Sequence, residues 1–189
     1  MKTSLVILCE DEQSACFARR FLGERGWTKH DWRVEKAPCG EQSGEQWVRE
    51  RLPFELTAMR AKGNTAVLAL IDGDGKEVDD RIAELRRHSE RKIEGRGARE
   101  AVPFVRADER VAIMVPKRNI ETWLAFLRGE EVDENRNQAY RKYDAESDCK
   151  GQAVELHTRC DRSNLGDGAP PSLTAACDQY KKLPRRPDQ

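Results

Sequence analysis

The chain has no excess of either charge: 34 lysines and arginines are matched by 34 aspartates and glutamates over 189 residues. That balance excludes a whole-molecule field drawing it onto nucleic acid or an anionic membrane, so any phosphate recognition must be local. Long hydrophobic runs are also missing. Apolar stretches extend for a handful of residues, far short of a bilayer span. The opening MKTSLVILCE has neither the longer apolar segment nor the small-residue cleavage site of a signal peptide. A soluble cytoplasmic protein with no membrane partner is the expectation. The cysteines at positions 9, 16, 39, 149, 160 and 177 form no CxxC pair, so reduced thiols are expected and no disulfide is needed to explain the fold. For the same reason His157, Cys160, Cys149 and Cys177 make a poor zinc pattern. There is no internal repeat, no low-complexity tract and no GxxxxGK[ST] nucleotide loop.

What is present is an alternation of short apolar runs and helix-like patterns. Residues 4–9 (SLVILC) predict a buried strand, followed by a helix with Phe17, Phe21 and Leu22 on one face, ended by GERGW. WRVEKAPC (32–39) predicts a second strand with an exposed face. A helix over about 43–62 sets Val48, Leu52, Leu56 and Met59 at near-helical spacing, and Pro53 argues for a kink or a late start. TAVLALID (65–72) is the clearest strand, a continuous apolar run ending in an acid. Val78, Ile82 and Leu85 mark the next helix and RVAIMV (110–115) a fourth strand. Ile120, Trp123, Leu124 and Leu127 mark the helix after it, with Trp123 expected in the core. Near-continuous apolar strands between amphipathic helices imply the α/β class, with a parallel sheet of about four strands covered on both faces. Past Arg128 the pattern weakens into a polar segment, a loop at 163–172 and a short helix over about 172–183. The expected organisation is an α/β core over 1–128, with a helical and loop-rich appendage over 129–189 packed on it.

The placement of the acids carries the functional reading. In an open parallel sheet, ligands bind outside the carboxyl ends of the strands. The first strand ends in Glu10-Asp11-Glu12 and the third in Asp72-Gly73-Asp74-Gly75. If these strands are neighbours, several carboxylates meet at one edge and repel one another unless a cation sits among them. Hard oxygen donors suit Mg²⁺ or Mn²⁺. A single acid after a strand is as well explained by helix capping, but two such ends, one of them DGDG, exceed what capping needs.

LVILCEDEQ on its own looks like the start of a response-regulator receiver domain. A receiver, however, carries a lone phosphorylatable Asp after its third strand and a later Lys-Pro pair, where this chain has DGDG and the reversed Pro116-Lys117. One glutamate after the first strand and DxD after the third instead resembles the Toprim domain, a Rossmann-like fold. That family includes topoisomerase and primase catalytic domains, OLD-type nucleases and small defence-associated nucleases. The matching residues are Glu10, Asp72 and Asp74, within a resemblance covering about residues 4–127, and VPKRNIETWL (115–124) resembles the strand-to-helix segment of small OLD-related members. Ser14 stands where OLD-type members commonly carry a further acid, leaving Asp11, Glu12 or Glu121 as substitutes.

The resemblance implies a Mg²⁺-dependent (or Mn²⁺-dependent) endonuclease of DNA or RNA. Glu10, Asp72 and Asp74 would be the catalytic and metal-binding acids, with Asp11 and Glu121 as further metal candidates. Water is the expected nucleophile, because none of Tyr140, Tyr143 and Tyr180 has a distinguishing context. Lys117, a catalytic candidate, and Arg118 fall at the end of the fourth strand and are expected to grip the substrate phosphate. Arg87, Arg91 and Lys92, in the basic stretch 86–100, could extend a nucleic-acid track or form an ordinary solvated face. The resemblance also implies a separate ATPase partner and a role in antiviral defence. The alternative is a non-catalytic, receiver-like or Toprim-fold interaction and regulatory module.

Overall fold

A computed structural model describes residues 4–38, 43–94, 104–106, 108–141 and 146–185. Four strands form one sheet: β1 (Ser4–Cys9), β2 (Trp32–Lys36), β3 (Thr65–Leu70) and β4 (Val111–Met114). Every pairing is parallel and the order is β2-β1-β3-β4. Among the described residues six helices flank it: α1 (Glu12–Gly23), α2 (Gly44–Lys62), α3 (Val78–Glu94), α4 (Ile120–Leu127), α5 (Lys150–Asp161) and α6 (Pro171–Lys181), with a 3-10 turn at Glu146–Cys149. The α/β architecture expected from the apolar runs is thus the one observed.

Strand periodicity divides the core into two layers. Leu5, Ile7 and Cys9 of β1 point to a cluster with Phe17, Phe21, Trp123, Leu156 and Tyr180, while Val6 and Leu8 point to the opposite cluster with Val48, Leu52, Leu56 and Leu85. Helices α1, α4, α5 and α6 therefore contribute to one face, and α2 and α3 to the other. Fully burying each large apolar side chain contributes about 1.5–3 kcal/mol, which is why the all-buried β3 sits beside β1 in the middle of the sheet. Continuous burial of β3 and the half-exposed pattern of β2, an edge strand, match their sequence patterns.

The C-terminal helices share the first of these clusters. Tyr180 is buried, stacks on Phe21 at 4.0 Å between centroids, and lies beneath the Arg25 guanidinium at 4.3 Å. Trp123 is fully buried as expected, with its indole N–H donating to Ser172 Oγ at 2.8 Å.

Several expectations need correction. Helix α2 starts at Gly44 and continues through Pro53, so the late start is not what the chain adopts. Helix α5 has no counterpart in the sequence reading, because only Ala153, Leu156 and Cys160 bury and its apolar stripe is thin. Cysteines 160 and 177 are joined by a disulfide between α5 and α6. Their separation of 17 residues gives no local spacing signal; the helix-loop-helix fold brings them together. Both sulfurs are thereby withdrawn from any zinc site, and His157 Nδ1 lies 2.8 Å from the Tyr180 hydroxyl instead.

Candidate functional site

The strand order β2-β1-β3-β4 reverses direction between β1 and β3, which makes their carboxyl ends the switch point where open α/β sheets bind ligands. Cys9 is in register with Leu70, so Glu10 and Asp72 emerge side by side from adjacent strands. The Asp72 backbone N–H donates to Glu10 Oε1 at 2.8 Å, joining the two strand ends directly. The neighbouring backbone closes tightly around them. Gly73 N–H donates to Pro116 O and Gly75 N–H to Lys117 O, each at 2.7 Å, so the DGDG loop is fixed to the segment leaving β4. A Cβ on Gly73 would lie 2.5 Å from Lys117 O, and one on Gly44, the first residue of α2, would lie 2.6 Å from Glu10 Cβ. Only glycine fits either position without backbone movement. Asp74 takes φ 53°, a left-handed conformation that Asp tolerates better than most residues.

The electrostatics follow from this crowding. Burial pushes the Glu10 carboxyl up to about 7; Asp74 and Asp11 add to the rise, while the Asp72 N–H and Arg81 oppose it. Asp72 is held well above the usual carboxylate range, first by burial and then by the charges of Glu10, Glu121, Asp11 and Asp74. Its Oδ1 is buried and has no hydrogen-bond partner among the described residues. Glu121, in the first turn of α4, is only 3% exposed, so it is no ordinary solvated first-turn acid.

The remaining candidates are engaged differently. Asp11 caps α1, accepting from Ser14 N–H at 2.8 Å, and Ser14 is itself buried. Asp74 Oδ2 accepts from Arg81 Nη2 at 2.8 Å. Glu12 pairs with Arg19 at 2.6 Å and Lys36 at 2.7 Å on the surface. Lys117 Nζ donates to Glu77 and, at 2.8 Å, to Asn135 Oδ1. Arg118 donates to the carbonyls of Glu134 and Asn135 at 3.1 and 3.0 Å, holding that segment in place. A cavity of about 360 Å³ opens beside this edge, lined by Lys117, Glu77, Asn135, Glu134, Pro170 and Ser172; Glu10 and Asp72 lie outside it. Arg87 is exposed on α3, remote in sequence from the DGDG loop. The Arg91 and Lys92 side chains lie outside the described residues, as do Arg96 and Arg99.

Arg81 and Gly44 were missed by the sequence reading. Arg81 is 2% exposed; besides Asp74 it donates to Glu45 at 2.9 Å, Glu84 at 3.0 Å and the Gly73 carbonyl at 3.4 Å. Its signal was its place three residues after Val78 and four before Leu85, on the inner stripe of α3. Gly44 carried no such signal, since its close approach to Glu10 spans elements distant in sequence.

Among the described residues, no three His, Cys, Asp or Glu side chains enclose a metal position. Mg²⁺, however, typically binds through one or two carboxylates, with water and substrate phosphate supplying the rest, rather than in an all-protein cage. Two adjoining acids, a partnerless buried carboxylate oxygen and an all-oxygen donor set fit that mode. No family model, curated protein or solved structure matches the chain.

Proposed function

We propose that the protein is a Mg²⁺-dependent or Mn²⁺-dependent nuclease of the Toprim type, cleaving phosphodiester bonds of DNA or RNA. The observation that carries this reading is the Glu10–Asp72 pair at the β1/β3 switch point, with Asp72 Oδ1 buried and lacking a hydrogen-bond partner among the described residues. Glu10 and Asp72 would hold the ion, with Glu121 and Asp74 near enough in charge to be felt at Asp72. A divalent ion held there would supply charge neutralisation at the scissile phosphate and lower the pKa of an attacking water.

The chain's own groups do the positioning. The Asp72 N–H fixes one Glu10 oxygen, and Arg81 ties the DGDG loop to α2 and α3 through Asp74, Gly73 and Glu45. Lys117, held between Glu77 and Asn135, is the ammonium set to meet a substrate phosphate by exchanging its carboxylate partner. Arg118 steadies the 134–135 segment beside it. Water remains the nucleophile of this reading; Tyr180 is buried in the core. A separate ATPase partner and an antiviral role follow from the Toprim resemblance alone.

The Asp74–Arg81 ion pair and the use of Asp11 as a cap favour a second reading, a Toprim-like or receiver-like module without cleavage activity. Incubation of the purified protein with plasmid DNA and with tRNA, in Mg²⁺ or Mn²⁺ and with candidate partners, separates the two. Cleavage lost in Glu10→Gln and Asp72→Asn supports the nuclease; cleavage that survives both removes these acids from the chemistry. Phosphate transfer from a small phosphodonor to Asp72 would identify the receiver-like module.

A further inference from the structure

We propose that Cys16 and Cys149 are a second covalent cross-link site, closing to a disulfide that fastens α1 to the C-terminal helices. Cys16 lies on the inner face of α1, 4% exposed, and Cys149 ends the 3-10 turn that leads into α5, at 0% exposure. Their sulfurs are 2.7 Å apart although 133 residues separate them in sequence. That is well inside ordinary non-bonded contact and close to the length of a bond, about 2.05 Å, so closure needs only a small shift. Packing of α1 against both the turn and α5 holds the pair together.

This site extends a linkage already present. Cys160–Cys177 joins α5 to α6, so a Cys16–Cys149 bond would connect α1, α5 and α6 in series. Helix α1 is capped by Asp11, directly after Glu10, and the cross-link would therefore tether the element following the acidic edge to the C-terminal helices. Cys9 offers an internal contrast: buried at the end of β1, its thiol is pushed up to about 12 by burial and faces the Glu35 carbonyl at 3.9 Å.

The step balances with a low-molecular-weight disulfide such as oxidised glutathione as the oxidant. One cysteine thiolate attacks the glutathione disulfide and releases one glutathione thiol. The second then displaces the other glutathione from the mixed disulfide, forming the Sγ–Sγ bond. Two cysteine thiols are oxidised and one glutathione disulfide is reduced to two thiols.

Peptide mapping of the full chain by mass spectrometry, after full reduction, refolding, treatment with oxidised glutathione and non-reducing digestion, tests the site. The expected product is a cross-linked peptide pairing Cys16 with Cys149, present alongside Cys160–Cys177 and abolished by reductant. The oxidised protein should also melt higher than the reduced one, by a margin that narrows in the Cys16→Ala, Cys149→Ala double variant. Recovery of Cys16 and Cys149 as separately alkylated peptides, or of Cys16 bonded to a different cysteine, overturns the proposal. Because the mapping uses the native sequence, it holds even if the double variant folds poorly.

Discussion

Buried acids on the α2 face and at the ends of β1 and β3 are treated in opposite ways. Glu55 of α2 is 2% exposed, and its carboxylate meets Arg33 and, at 2.9 Å, Arg51. Glu109 nearby is gripped by Arg60 at 2.6 Å and by the Arg106 N–H at 2.9 Å. At the switch point, Glu10 and Asp72 belong to no ion pair among the described residues, and their carboxyls are raised rather than lowered. Arg81 comes close to them, but its guanidinium is spent on Asp74, Glu45 and Glu84. Glu55 and Glu109 have cationic partners, whereas Glu10 and Asp72 stand side by side without one among the described residues, and perturbed groups of this kind cluster at functional sites. Glu55 and Glu109 are held by arginine side chains, and Glu10 and Asp72 are not.

The strongest way to break the contrast is to remove the charge. Asp72→Asn should lower cleavage by roughly 100-fold or more, while raising the melting temperature at pH 8, because the amide carries no charge to desolvate. Stability and activity would then move in opposite directions, which loss of a merely structural acid would not produce. The pH dependence has the same origin. Glu10 is raised from 4.5 to about 7, so between those values the folded protein holds a proton that the unfolded chain has released. Its contribution is intact below 4.5 and is lost as pH rises through 7, at most on the order of 3 kcal/mol. Denaturant titrations from pH 5 to 8 should show this decline, and Glu10→Gln should flatten it.

Smaller effects test the scaffold around the pair. Arg81→Met should destabilise by about 1–3 kcal/mol in a denaturant titration, since Glu45, Glu84 and the Gly73 carbonyl lose a shared donor. Asp11→Ala should cost about 1 kcal/mol through the lost α1 cap and leave cleavage largely unchanged. If Asp11→Ala instead abolishes cleavage at full stability, Asp11 is a ligand and the division between pairing acids and functional acids must be redrawn.

Much of this was legible from the chain. Continuous apolar runs at 4–9, 65–70 and 111–114 identify buried parallel strands, and the acidic ends of the first two bring Glu10 and Asp72 to one sheet edge, because strand burial and strand ends are both local in sequence. Partner choice was not legible. Whether Asp74 faces a metal position or Arg81, and whether Asp11 is a ligand or a cap, depends on side-chain directions set by α2, α3 and the loop after β4. The Cys160–Cys177 bond and helix α5 were hidden for a related reason: each depends on packing against α1 and β4 rather than on a local pattern.

The central claim is that Glu10 and Asp72 are kept unpaired for a divalent cation, and thermal unfolding with and without Mg²⁺ or Mn²⁺ at pH 8 addresses it most directly. The account predicts that the cation raises the melting temperature of the native protein and leaves that of Asp72→Asn unmoved. No shift in the native protein, or an equal shift in both, would contradict it.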